Sequence, residues 1–185
     1  MRIALALVAV LAVASPALAA DGVGPKLKVT RLDQLPTPLP KPYNDKLTAK
    51  QVDAMVDAAF ARARKNGKNV IIDLGGNWCV WCRELAAAMD LPEAKPFIAA
   101  NFEVVSVNTS STNGKLDDRN VQILKRFDVK KIDGVPWLIV ADADGKVLAS
   151  SSDVTDKQHE TPQLMINWIA AYTPKGGAAA KGRHQ

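Results

Sequence analysis

The chain has 185 residues and a mass of 19.9 kDa, which is room for one domain with a buried core plus terminal segments. Its content of 48% hydrophobic and 23% charged residues is typical of a globular protein and excludes collagen-like, coiled-coil and polytopic membrane classes. The net charge of +5 comes from 24 basic and 19 acidic residues spread along the chain, so we expect no nucleic-acid partner.

Residues 1–19 have the three parts of a cleavable signal peptide. These are a basic start at Arg2, an apolar run over 3–14 and an A-x-A site over 17–19. The apolar run is shorter than the ~20 residues that a membrane-spanning helix needs. We therefore expect cleavage after Ala19 and a soluble mature protein that is periplasmic or secreted.

The two ends of the mature chain differ in composition from its middle. Residues 20–45 carry five prolines and few large apolar side chains, which favours an extended spacer or strap over packed structure. Residues 174–185 are basic and rich in Gly and Ala, which predicts a disordered tail. The folded domain is thus expected over 46–173.

Hydrophobic periodicity within this domain predicts alternating helices and strands. A capping box at Thr48 and Gln51 opens the first helix, and Asp142 to Gly145 forms the turn of a hairpin. The helices are predicted over 48–67, 79–89, 96–101, 118–127 and 161–173, and the strands over 69–74, 102–108, 135–140 and 146–150.

This order predicts an α/β fold. Two strands separated by a helix require a parallel β-α-β unit, and the closing hairpin adds antiparallel strands to the same sheet. We therefore expect a three-layer sandwich with a mixed sheet at its centre.

The strongest chemical signal follows the first strand and opens the second helix, with the sequence Trp78-Cys79-Val80-Trp81-Cys82. In an oxidising compartment two cysteines tend to form a disulfide, but one that closes so short a loop stabilises the fold little. A thiol at a helix N-terminus has a lowered pKa. We therefore predict that Cys79 is a nucleophile and that Cys82, one turn further, is the more buried resolving thiol.

Other interpretations of the two cysteines fit less well. Haem attachment needs a His after the second Cys, where Arg83 stands, and a zinc site needs about four ligands. Capture of copper by both thiols, with or without His159, stays open as the alternative function. No G-x-G-x-x-G motif is present, and we predict neither a resident metal nor a cofactor.

The segment Asp73 to Glu84, followed about fifty residues later by Gly134-Val135-Pro136, resembles the thioredoxin superfamily. Within it, the segment is most similar to the C-terminal thioredoxin-like domain of the bacterial thiol:disulfide interchange protein DsbD. The resemblance covers about residues 46–172 and implies a thioredoxin-like fold with a redox-active dithiol.

The resemblance also assigns roles to two residues outside the dithiol. Asp73 matches a buried acid beneath the active site, which would relay a proton from Cys82, whereas an Asp at a strand end can also simply face solvent. Pro136 matches the cis-proline opposite the dithiol, which would turn the Val135 backbone toward an extended client chain, although an ordinary loop proline is the alternative.

The tryptophans beside Cys79 predict an apolar lip that binds client peptides. We expect Trp81 to be exposed and Trp78 to be the more packed of the two. Trp137 stands where the family commonly has Thr, and Ala86 stands where the DsbD-like domain has a second acid. Client specificity is therefore not carried over, and whether Glu84 replaces that acid stays open.

The residues between the cysteines, Val80 and Trp81, carry no charge that would stabilise a thiolate strongly. We therefore predict a reduction potential nearer thioredoxin, at ~−270 mV, than DsbA, at ~−120 mV. The predicted function is an exported, monomeric enzyme that reduces disulfides in exported proteins and is recharged by a membrane-bound electron donor.

Overall fold

The domain is built on a four-stranded mixed sheet with the strand order β2-β1-β3-β4. The structure is a computed structural model that describes residues 23–109, 120–155 and 161–174. The strands are β1 (Asn69–Gly75), β2 (Phe102–Asn108), β3 (Trp137–Ala141) and β4 (Val147–Ser151). β1 pairs in parallel with β2, whereas β3 pairs antiparallel with both β1 and β4.

Within the described ranges, five α-helices cover the sheet. They are α1 (Ala49–Asn66), α2 (Val80–Met89), α3 (Ala94–Asn101), α4 (Val121–Arg126) and α5 (Pro162–Ala170). Two short 3-10 helices occur at Leu32–Gln34 and Asp153–Thr155. Thr48 and Gln51 form the predicted capping box of α1, and Gly67 ends that helix in the left-handed region.

The side chains of β1 divide the core into two halves because successive residues of a strand point to opposite faces. Val70, Ile72 and Leu74 pack with α1 and α4. Ile71 lies on the other face, in the cluster that includes side chains of α2, α3 and α5. The three-layer α/β sandwich with a mixed sheet that the sequence predicts is therefore confirmed.

The proline-rich segment before α1, which we call the N-terminal strap (residues 23–46), is extended but packed. Leu27 and Leu35 are buried in the cluster beneath α2, α3 and α5. Gln163 and Asn167 of α5 hold the start of the strap by accepting hydrogen bonds from the backbone N–H groups of Leu27 and Gly24. The expectation that this segment stays outside the packed structure is wrong, because a few well-spaced apolar side chains suffice to anchor it.

Some sequence-based predictions concern residues outside the described ranges. These are the signal peptide, the tail after residue 174 and His159. Among the helices that the structure describes, none has both the length and the apolar character needed to cross a membrane.

Candidate active site

The two cysteines lie at the junction between β1 and α2. Cys79 is the N-cap residue of α2, and Cys79 and Cys82 form a disulfide. The backbone N–H of Cys82 donates to Cys79 Sγ at 3.1 Å. As the sequence predicts, Cys82 is the more buried of the two, with 0% of its surface exposed against 6% for Cys79.

The segment before β3 lies against the disulfide. The carbonyl oxygen of Val135 is 3.6 Å from Cys79 Sγ, and the Val135–Pro136 peptide bond is cis. The indole N–H of Trp137 donates to Ser150 Oγ at 2.9 Å, which ties the following residue to β4. The topology therefore brings Val135 and Cys79, which are 56 residues apart in sequence, into contact.

Three apolar side chains around Cys79 form what we call the outer lip, made of Trp78, Val80 and Trp81. They are 50%, 51% and 39% exposed, respectively. The expectation that Trp78 packs into the protein is therefore wrong, whereas that for Trp81 is confirmed. Trp78 lies in the turn between β1 and α2.

A polar group of side chains lies beneath the surface, with Tyr43 packed against the two cysteines, and we call this group the floor (Tyr43, Asp73 and Ser106). Asp73 is completely buried, so the alternative of a strand-end Asp facing solvent is excluded. Its Oδ2 accepts hydrogen bonds from Tyr43 Oη at 2.7 Å and Ser106 Oγ at 3.4 Å. Its Oδ1 is buried and has no hydrogen-bond partner among the described residues.

Burial dominates the ionisation of Asp73. Loss of solvation raises the pKa of this carboxyl from 3.8 to about 7, while the hydrogen bonds from Tyr43 and Ser106 act in the opposite direction. The pKa of Tyr43 is also raised, first by burial and then by the neighbouring Asp73 carboxylate. Asp73 can therefore exchange a proton near neutral pH, unlike an ordinary Asp.

Sequence reasoning missed Tyr43. It belongs to the N-terminal strap, yet it is 2% exposed and packs in one buried cluster with Cys79 and Cys82. A single aromatic residue among prolines has no periodic pattern that would mark it as buried. Its place is revealed by contacts with distant residues, among them the hydrogen bond to Asp73, thirty residues away.

Two further points from the sequence concern the acid on α2 and the copper alternative. Ala86 and Glu84 are both half-buried on α2. Within the described ranges, no group of three or more His, Cys, Asp or Glu side chains is arranged to hold a metal ion. The copper alternative therefore gains no support from the residues that the structure places.

The part of the chain that contains the two cysteines also matches known proteins. A family model described as a thioredoxin-like domain matches residues 56–157. A protein disulfide-isomerase from Zea mays is 30% identical over 118 residues, which are 64% of this chain and 20% of that protein. The thiol:disulfide interchange protein DsbD of Actinobacillus pleuropneumoniae serotype 5b (strain L20) is 26% identical over 105 residues, or 57% of this chain and 17% of that protein.

Among solved structures, the disulphide isomerase from Xylella fastidiosa Temecula1 superposes with a TM-score of 0.51 at 24% identity. The match covers 76% of this chain and 97% of that one. This likeness supports the fold alone. The curated relatives are much longer, since the chain spans only about a fifth of their lengths.

Proposed function

The chain belongs to the thioredoxin-like domain family, and on that premise we propose that it is an exported thiol-disulfide oxidoreductase that reduces disulfides in other exported proteins. The observation that carries the proposal is the Cys79–Cys82 disulfide at the start of α2, which lies beside the polar floor and the exposed apolar lip. The floor and the lip support different parts of the reaction.

Cys79 is the proposed nucleophile. In the reduced protein its sulfur would sit at the positive end of the α2 dipole, next to the Cys82 backbone N–H that lies 3.1 Å away in the disulfide form. Both interactions favour the thiolate over the thiol and therefore lower the pKa of Cys79. Cys79 is also the more accessible of the two cysteines.

The reaction is a transfer of two electrons from the dithiol to the client. The Cys79 thiolate attacks one sulfur of a client disulfide, forms a mixed disulfide and releases the other client sulfur as a thiolate, which takes a proton from solvent. Cys82 then loses its proton to Asp73 and attacks Cys79 Sγ. The second client sulfur leaves as a thiolate and is protonated, so the client ends as a dithiol and the protein as a disulfide.

The outer lip is the proposed docking surface for the client. Large, exposed aromatic rings bind apolar side chains with little loss of conformational freedom. The Val135 backbone beside Cys79 Sγ would pair with an extended client chain, as in strand addition, and Pro136 would hold that backbone in place.

The partners and compartment follow from the leader and from the chemistry. An exported enzyme that reduces clients must be recharged, so we propose a membrane-bound donor of electrons. Similarity to DsbD, whose name describes thiol:disulfide interchange, supports exchange between dithiol pairs. We propose that the protein acts in the periplasm or outside the cell, as a monomer.

A trapping experiment tests the proposal. The Cys82→Ala variant, expressed with its leader, lacks the resolving thiol, so Cys79 should accumulate in mixed disulfides with a small set of exported proteins. Non-reducing gels followed by mass spectrometry identify the adducts and the cysteine that carries them. The matched control is the double variant Cys79→Ser/Cys82→Ala, which should form none. Equal adducts in both variants, or none in the trap, would contradict the proposal.

A further inference from the structure

The N-terminal strap reaches the floor through one side chain. The Tyr43 hydroxyl donates a hydrogen bond to Asp73 Oδ2 at 2.7 Å, which is shorter than the 3.4 Å hydrogen bond from the Ser106 hydroxyl to the same oxygen. Tyr43 is therefore the closer of the two donors to this carboxylate. A residue outside the region that resembles thioredoxin thus contacts the acid of the proposed proton relay.

Two side chains that flank the cysteines fix the strap in this position. Asn77 accepts from the Tyr43 backbone N–H at 3.2 Å and donates to the Tyr43 carbonyl at 2.6 Å. Arg83 donates to the carbonyls of Leu39 at 2.8 Å and Pro40 at 3.0 Å. Because both anchors belong to the same loop and helix as the dithiol, Tyr43 has a defined position relative to the sulfurs.

Gly75 leaves the space in which Tyr43 and the resolving cysteine meet. A methyl group at this position would lie 2.7 Å from Tyr43 Oη and 2.8 Å from Cys82 Sγ, closer than real contacts allow. The Tyr43 hydroxyl oxygen and the Cys82 sulfur therefore both lie next to the position that this methyl group would occupy. Because Gly75 has no side chain, Tyr43 of the strap can pack against the disulfide.

Among the described residues, the side chains that act on the ionisation of Asp73 are Tyr43 and Ser106. The strap contributes Tyr43, β2 contributes Ser106, and α2 contributes Cys82 beside Tyr43. On its other side β3 places Leu138, which does not titrate, opposite Asp73 in the register. Since both hydroxyls donate to Oδ2, the buried Oδ1 is the oxygen left to accept a proton from a thiol.

We propose that Tyr43 is a positioning residue that holds Asp73 by Oδ2 and lowers its proton affinity, and thereby sets the pH range in which Cys82 resolves the mixed disulfide. This inference rests on the proposed function. It makes the strap a part of the catalytic unit, because a residue of the strap controls the base that accepts the proton of Cys82.

The direction of the effect follows from the charge on the acceptor. A hydroxyl that donates to a carboxylate stabilises the ionised form, which is the form that can accept a proton from Cys82. Removing the hydroxyl should therefore raise the pKa of Asp73 above its value of about 7. At neutral pH a smaller fraction of the protein would carry the ionised Asp73 carboxylate, whereas at high pH nearly all of it would.

The test measures resolution against pH in the Tyr43→Phe variant of the full mature chain. Reduced protein is mixed with a saturating disulfide-bonded peptide, samples are quenched in acid, and mass spectrometry follows the decay of the mixed disulfide. We expect the midpoint of the pH profile to rise by about one unit, since a hydrogen bond to a charged group is worth about that much. At pH 7 the rate should fall about fivefold, and the profiles should converge toward pH 9.

The matched control is Tyr172→Phe, because Tyr172 is the other of the two tyrosines in the chain and its ring packs against Trp168 on α5. Its profile should match that of the unmodified protein. If Tyr43→Phe leaves the midpoint unchanged, or lowers the rate equally at every pH, the inference is overturned while the proposed function stands. If the unmodified protein does not reduce the peptide at any pH, both are overturned.

A second measurement leaves the packing of the floor nearly unchanged. Biosynthetic 3-fluorotyrosine, introduced into the Tyr172→Phe background, modifies Tyr43 alone and makes its hydroxyl a stronger donor. The midpoint should then move down, opposite to the effect of Tyr43→Phe. A shift upward, or no shift, contradicts the inference even if the Tyr43→Phe protein fails to fold.

Discussion

The outer lip and the floor flank the same disulfide but have opposite physical properties. The lip presents Trp78, Val80 and Trp81 to solvent, while the floor buries Tyr43 and Asp73 almost completely. The lip has apolar surface without a covering partner. The floor has a carboxyl group that burial alone would strongly disfavour in its charged form.

This difference indicates how one short motif divides its work. Side chains before and between the cysteines face outward, where a client would bind, and Cys79 lies at their edge. Cys82, three residues later, is buried next to Tyr43 of the floor, where under the proposed function Asp73 would accept its proton away from bulk water. The start of α2 turns the chain from one environment to the other.

The largest effect is expected at the floor, in the pH dependence of stability. The pKa of Asp73 is 3.8 in the reference state and about 7 in the fold. Because the pKa of Asp73 is raised in the fold, folding favours the protonated carboxyl. This contribution to the free energy of unfolding is complete below pH 3.8 and is lost as the pH rises through 7. Above that pH, the buried carboxylate lowers the free energy of unfolding by up to about 4 kcal/mol.

The Asp73→Asn variant removes this titration. We expect it to be more stable than the unmodified protein at pH 8, with a difference that shrinks toward pH 4, as measured by urea unfolding of the oxidised proteins. Asp133→Asn changes an exposed carboxylate instead and serves as the control. Unfolding free energies of Asp73→Asn and the unmodified protein that stay parallel across this range would show that Asp73 is not strained by burial.

A smaller effect is expected at the lip. Trp81→Ala should lower kcat/KM for a protein disulfide about fivefold, because an aromatic contact is worth about 1 kcal/mol, and should change the rate with oxidised glutathione less than twofold. Val147→Ala removes an exposed apolar side chain on β4 and should change neither rate. Equal losses with both substrates would mean that Trp81 acts on the chemistry of the dithiol and not on client binding.

Local sequence patterns predicted the sheet and the helices well because each has its own periodicity. The dithiol could be predicted equally well, since its spacing and its place between β1 and α2 are properties of one short segment. The burial of the strap could not be predicted, because Leu27 and Leu35 are buried by contacts with distant helices that no local pattern records. The prediction for Trp78 fails for the same reason, because no local pattern records whether a side chain in the turn before α2 is covered by distant parts of the chain.

The site shows the same division between local and distant information. Asp73 was found through a family motif, and its burial is confirmed. Tyr43 was missed because its role depends on Gly75 leaving room and on Asn77 and Arg83 holding the strap. None of these three residues suggests such a contact when it is considered alone.

The central claim is that the backbone at the start of α2 makes Cys79 the reactive thiol. The most direct test is the pH dependence of alkylation of the reduced protein by iodoacetamide, with the modified cysteine identified by peptide mass. The account predicts that Cys79 reacts before Cys82 and that its pKa lies well below the ~8.5 of a free cysteine. Titration of Cys79 at ~8.5, or earlier reaction of Cys82, would contradict it.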